Sequence, residues 1–176
     1  MRVCHGFTAT FDDRNLVWCA GLAPVLQLAE RAGLQRLVGE HVGLSEPAGV
    51  NAHLKVPGLV AGMVAGADSI DDMALLRHGA MRRLFEGVRA PSTLGSFLRS
   101  FTFGHVRQLD AVASPLLPGA AELAYVDIDD TLRQSYGYGG KQGAGRGYTG
   151  VKGLNALLAI VSTPSSAPVI AAARLR

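Results

Sequence analysis

Five consecutive residues, Asp127-Ile128-Asp129-Asp130-Thr131, follow a short apolar run, Leu123-Ala124-Tyr125-Val126. Read as a strand, the run puts Asp127 and Asp129 on one face and Val126 and Ile128 on the other, because strand side chains alternate. Two carboxylates roughly 7 Å apart along a strand repel each other and lose hydration. A divalent cation relieves both costs, since hard Mg²⁺ or Mn²⁺ takes carboxylate oxygens. Such a pair serves phosphoryl chemistry in two ways. One Asp acts as nucleophile with the other as acid/base, or both hold metal ions that activate water or a 3′-hydroxyl. The non-catalytic reading of the same residues is a turn just beyond a strand, where Asp is frequent.

A second chemistry-bearing stretch follows. Tyr136, Tyr138 and Tyr148 interleave with Lys141, Arg146 and Lys152 among many glycines. Aromatic rings between cations suit a loop that approaches a nucleic-acid backbone, so Lys141, Arg146 and Lys152 are candidate DNA contacts. Gly145, Gly147 and Gly150 satisfy GxGxxG only formally, because no strand runs directly into them and no acid follows to hold a ribose. No phosphate-binding GK[ST] occurs. Upstream, Arg77, His78, Met81, Arg82, Arg83 and Arg89 form a local basic run, with Arg82 and Arg83 its candidate phosphate contacts. The histidines show no metal-ligand spacing, and Cys4 and Cys19 read as ordinary reduced thiols.

The elements that must position these groups divide near Pro115 and Pro118. Val3 to Trp18 reads as a short strand or extended arm. Leu22, Val25, Leu26 and Ala29 have helical spacing that ends at Gly33, and Leu34, Leu37 and Val38 share a second helical face. Pro57 is expected to open a third helix, with Gly62 and Gly66 permitting close packing. Ser69 and Asp72 resemble a capping box for a helix from Ile70 to His78, stopped by Gly79. Ser92 or Thr93 is expected to cap a helix carrying Leu94, Phe97 and Leu98, and a last helix spans Gly104 to Val112. Beyond the prolines the pattern is β: the acid-ended run as a central strand, then Leu154–Val161 and Pro168–Ala173 joined by a turn at Thr163-Pro164-Ser165-Ser166.

Composition sets the class. Apolar residues make up 48% of the chain and charged ones 18%, which fits a folded globular protein rather than a disordered one. No apolar run is long enough to span a membrane and no signal peptide is visible, so a cytoplasmic protein is expected. The net charge of +3 conceals a division. Residues 1–131 carry 11 basic and 14 acidic side chains, whereas residues 132–176 carry 6 basic ones and no acid. The second part favours a polyanion partner.

The run Tyr125-Val-Asp-Ile-Asp-Asp-Thr131, Lys141-Gln-Gly-Ala-Gly145 and Gly147-Tyr-Thr-Gly-Val-Lys-Gly-Leu-Asn-Ala156 resembles insertion-sequence DDE transposases of actinobacteria. Upstream phrases such as Gly66-Ala-Asp-Ser-Ile-Asp-Asp72 and Ala90-Pro-Ser-Thr-Leu-Gly95 share the resemblance, which covers nearly the whole chain. It implies an α+β chain, with a mainly helical DNA-binding region over residues 1–118. Residues 119–176 would begin a ribonuclease H-like catalytic domain, contributing its first antiparallel strands. The family's first catalytic Asp falls on Asp129, with Asp127 and Asp130 as alternative metal contacts. Implied with it are Mg²⁺ or Mn²⁺, DNA ends and target as partners, and a homo-oligomer at full length. The family's second Asp and its Glu lie further downstream, so a truncated reading frame is expected. The pattern DxDxT at Asp127, Asp129 and Thr131 also resembles haloacid dehalogenase-like phosphatases, which would make Asp127 the nucleophile. Those enzymes need a later lysine and an acidic pair, and residues 132–176 hold no acid.

Overall fold

The computed structural model describes residues 13–45, 47–117, 123–136, 142–147 and 149–175. It combines a helical cluster with an antiparallel sheet. Helices α1 (Leu22–Arg31) and α2 (Leu34–His41) meet at Gly33, whose φ of 89° is a left-handed conformation that suits glycine. As the spacing required, Leu34, Leu37 and Val38 are buried on one face of α2. The extended arm expected over Val3–Trp18 lies partly outside the described residues. Its described end is a turn instead, closed by Leu16 N–H on the Asp13 carbonyl, and Trp18 Nε1 donates to the Leu75 carbonyl at 2.9 Å.

Helix α3 (Ala52–Val64) starts five residues before Pro57, so the proline sits inside the helix rather than at its head. The helix begins at Asn51, whose carbonyl accepts from Leu54 and Lys55, and burial of Ala52 and Lys55 carries it across the proline. Pro57 therefore forfeits one interior hydrogen bond. A Cβ on Gly62 would run into Met73 Sδ, which explains the glycine at this close crossing.

Ser69 and Asp72 do form a reciprocal cap. Asp72 Oδ2 accepts from Ser69 N at 2.8 Å and from Ser69 Oγ at 2.7 Å. These hydrogen bonds, the side-chain one first, hold the Asp72 carboxyl below its usual range. The segment they start, Asp71–Arg77, is a 3-10 helix rather than an α-helix. A short helix α4 (Met81–Leu84) follows. Helix α5 (Pro91–Arg99) is headed by Ala90 in extended conformation, with Pro91 at its first position. Ser92 and Thr93, expected as caps, therefore lie within its first turn, because Pro91 already fixes the helical φ. Helix α6 (Val106–Ala113) continues from a 3-10 turn, Phe103–His105. Gln108 ties it to the end of α2 through the backbone N–H of Gly43 at 3.1 Å.

Leu22, Val38, Met81, Leu94 and Phe97 are the largest side chains that are fully enclosed, and all belong to this helical cluster. Phe97 packs edge-on against Phe101, with ring centroids 5.1 Å apart.

Strand β1 (Tyr125–Gln134) pairs antiparallel with β3 (Lys152–Thr163), which pairs antiparallel with β4 (Ser166–Leu175). The β3–β4 hairpin turns at Pro164-Ser165, as expected, and Ser166 N–H donates to Thr163 Oγ1. Within the glycine-rich stretch a two-residue strand β2 (Gly145–Arg146) adds to β3. Two expectations are corrected here. The acid-bearing strand lies at the sheet edge, with β3 at the centre. It also runs five residues past Asp129, so the carboxylates lie mid-strand. The sheet is thinly covered: Ile128 is 66% exposed and Val126 59%. No helix among the described residues is long and apolar enough to cross a membrane.

Candidate metal and nucleic-acid site

Strand register decides which carboxylates can act together. Asp127 stands opposite Ile160 and Asp129 opposite Leu158, so both project from one face of the sheet. Asp130 stands opposite Leu157 and projects from the other. Its Oδ2 accepts from Asn155 Nδ2 at 3.1 Å, which binds it into the sheet's own hydrogen bonding. Asp129 Oδ1 accepts from the Asp130 backbone N–H at 2.8 Å, which limits its rotation. All three aspartates are exposed. Asp127 and Asp129 are thus the natural pair, and Asp130 does not join them.

Two carboxylates beside open solvent match the way Mg²⁺ is usually held, by one or two acids with waters and substrate phosphates completing the shell. Among the described residues no group of three or more His, Cys, Asp or Glu side chains is placed to hold a metal ion. Further ligands for an ion at this pair therefore have to come from water, from a phosphate, or from outside the described residues.

The same face turns basic toward one end. Arg133 stands opposite Leu154, and Lys152, two residues further along β3, stands opposite Arg146 of β2. Alternation puts Arg133, Lys152 and Arg146 on the face of Asp127 and Asp129. Lys152 lies six residues from Leu158 along β3, roughly 20 Å. Arg146 and Lys152 are both exposed. Lys141 lies outside the described residues.

The upstream basic run does not form one exposed stripe. Arg82 and Arg83 are exposed, but Met81 between them and His78 is fully buried. Arg77 and Arg89 are half-buried, each with a buried Nε that has no hydrogen-bond partner. The interruption follows from helix geometry: α4 is one turn long, and its inward position is taken by Met81.

Two features escaped the sequence. Lys55 is buried at 6% exposure, donates to the Ala48 carbonyl at 2.8 Å, and lies 5.3 Å over the Phe97 ring. A lysine at a core position leaves no mark in hydrophobic spacing. The other is a crevice of about 340 Å³ between the start of α6 and the end of β4, lined by Phe103, Arg107, Asp110 and Arg174. A second cavity of about 360 Å³, among α1, α2 and α3, is mainly apolar and contains none of the candidate site residues.

No protein-family model, no curated protein and no solved structure matches this chain.

Proposed function

We propose that the chain acts on DNA as part of a DDE transposase, with β1 as the acid-bearing first strand of a ribonuclease H-like domain. The observation that carries this reading is the pairing of Asp127 and Asp129 on one face of an edge strand in a sheet whose pairings are all antiparallel. That order supports a ribonuclease H-like start over the doubly wound sheet of a dehalogenase-like phosphatase, which needs parallel strands and crossover connections. DNA is the partner, and the full-length enzyme works as a homo-oligomer.

In this reading Asp129, with Asp127, holds Mg²⁺ or Mn²⁺. An ion held there would supply activation of water or a 3′-hydroxyl and charge stabilisation at the leaving oxygen of a phosphodiester. Arg133, Arg146 and Lys152 neutralise backbone phosphates along the same face. The second Asp and the Glu of such a centre are not supplied by β1 to β4. Arg82 and Arg83 provide a separate contact on the helical cluster.

The acids make this surface self-opposed without metal, and that gives the test. At fixed ionic strength, Mg²⁺ is expected to tighten binding of a fluorescent duplex measured by anisotropy. The Asp127→Asn/Asp129→Asn double variant is expected to bind equally well with or without it. A wild-type affinity indifferent to Mg²⁺ contradicts the reading. Steady hydrolysis of p-nitrophenyl phosphate abolished by Asp127→Asn does so as well.

A further inference from the structure

The crevice between α6 and β4 brings together one aromatic ring, two guanidinium groups and a carboxylate. Phe103 offers a ring that is 44% exposed. Arg107 on α6 and Arg174 on β4 are exposed cations from elements about 70 residues apart in the chain. Asp110 lies one turn after Arg107 and is half-buried. Among the described residues none of these three charged groups has an ion-pair partner. The volume of about 340 Å³ falls at the lower end of small-molecule sites.

The wall is fixed in place. Phe103 N–H donates to Gln142 Oε1 at 3.2 Å, and a Cβ on Gly143 would lie 3.3 Å from the Phe103 ring. Phe103 thus links the crevice wall to the glycine-rich stretch. Ala173 and Leu175, which also line it, stand opposite Leu158 and Ala156, on the sheet face that carries Asp127 and Asp129, whereas Arg174 stands opposite Leu157 on the reverse face, so the crevice lies at the end of β4.

We propose that this crevice holds one nucleotide of a DNA strand. The Phe103 ring stacks on the base, Arg107 and Arg174 hold a flanking phosphate, and Asp110 accepts from an exocyclic amine of the base. The chemistry fits each part. Aromatic rings stack on any base, guanidinium groups pair with phosphate oxygens, and a carboxylate accepts from an amino group such as that of cytosine. The inference rests on the DNA reading above and extends it by assigning where a single-stranded end is gripped. Such a site grips the strand at the end of the sheet without any contact from Arg82 or Arg83.

The test is anisotropy of a fluorescent single-stranded oligonucleotide on the full chain across a salt series. Arg107→Gln and Arg174→Gln are each expected to lower the slope of log affinity against log salt by about 0.7, the value for one phosphate on a single strand. Phe103→Leu is expected to weaken binding about five- to a hundred-fold without changing that slope. An abasic strand is expected to show the arginine effects and to lose the Phe103 effect. Circular dichroism confirms that each variant folds. Strand binding that none of the three variants alters, but that Arg82→Gln or Arg83→Gln reduces, overturns the crevice and leaves the DNA reading standing. Strand binding that depends on the crevice while duplex binding ignores Mg²⁺ upholds the crevice and overturns the transposase reading. No strand binding by the wild type at low salt overturns the crevice.

Discussion

Replacing Phe97 with alanine is expected to destabilise the helical cluster by about 3–5 kcal/mol, the range for removing a large aromatic side chain from a packed core. Phe97 is 1% exposed and sits where α5 meets the rest of the core, its ring edge-on to Phe101 and under the Lys55 ammonium. The variant loses the buried area, leaves a cavity, and strips the lysine of its aromatic neighbour in one step. The next residue, Leu98, is 44% exposed, so Leu98→Ala is expected to cost far less. Denaturant unfolding followed by far-ultraviolet circular dichroism compares the two. Equal losses for Phe97→Ala and Leu98→Ala would mean that α5 does not face the core as described.

The second large effect has the opposite sign. Lys55→Met is expected to stabilise the protein at neutral pH by about 1–2 kcal/mol, because a buried ammonium gives way to an apolar chain of similar length. The ammonium has a hydrogen bond to Ala48 and the Phe97 ring, but no carboxylate partner among the described residues. Burial lowers its pKa from the ordinary 10.5, and the charge of Arg89 adds to the effect. The linkage follows directly. Between the lowered value and 10.5 the unfolded chain binds more protons than the folded one, so wild-type stability rises with pH across that window. Lys55→Met removes the rise. Stability measured in urea at pH 7 and at alkaline pH tests both parts, and a variant less stable than wild type at pH 7 would contradict the burial argument.

How far these features could be read in the sequence depends on how local their causes are. Helices α1 and α2 were legible because Leu22, Leu34, Leu37 and Val38 keep helical spacing around a glycine that can take a positive φ. The Ser69–Asp72 cap was legible because its partners are three residues apart. The start of α3 was not, since Pro57 gives a strong local signal for a helix head, whereas the burial of Ala52 and Lys55 is a tertiary effect. The length of β1 was missed for a related reason. Asp130-Thr131-Leu132-Arg133-Gln134 is polar and reads as a turn, but ten consecutive pairings with β3 hold it extended. This second half of an edge strand, exposed to solvent, carries no apolar run to announce it.

The acid pair itself was visible, down to the shared face of Asp127 and Asp129, because alternation along a strand needs no long-range information. The exclusion of Asp130 follows from the same alternation once the strand is known to continue. What spacing could not show was assembly at a distance. Arg107 and Arg174 line one crevice only because α6 lies against β4, and Arg146 stands opposite Lys152 only through a two-residue strand. The open sheet gives these placements a physical consequence. With Val126 and Ile128 largely exposed, the sheet has less packing to resist unfolding than the helical cluster has.

In the proposed function Asp127 and Asp129 jointly hold a divalent cation. Paramagnetic Mn²⁺ titrated into isotopically labelled protein tests it most directly, since broadening of amide signals reports even weak binding at a defined place. Loss of signal is expected to begin at Asp127, Asp129 and their cross-strand partners Ile160 and Leu158, and to vanish in the Asp127→Asn/Asp129→Asn variant. Broadening that starts elsewhere, or that persists unchanged in the double variant, would contradict it.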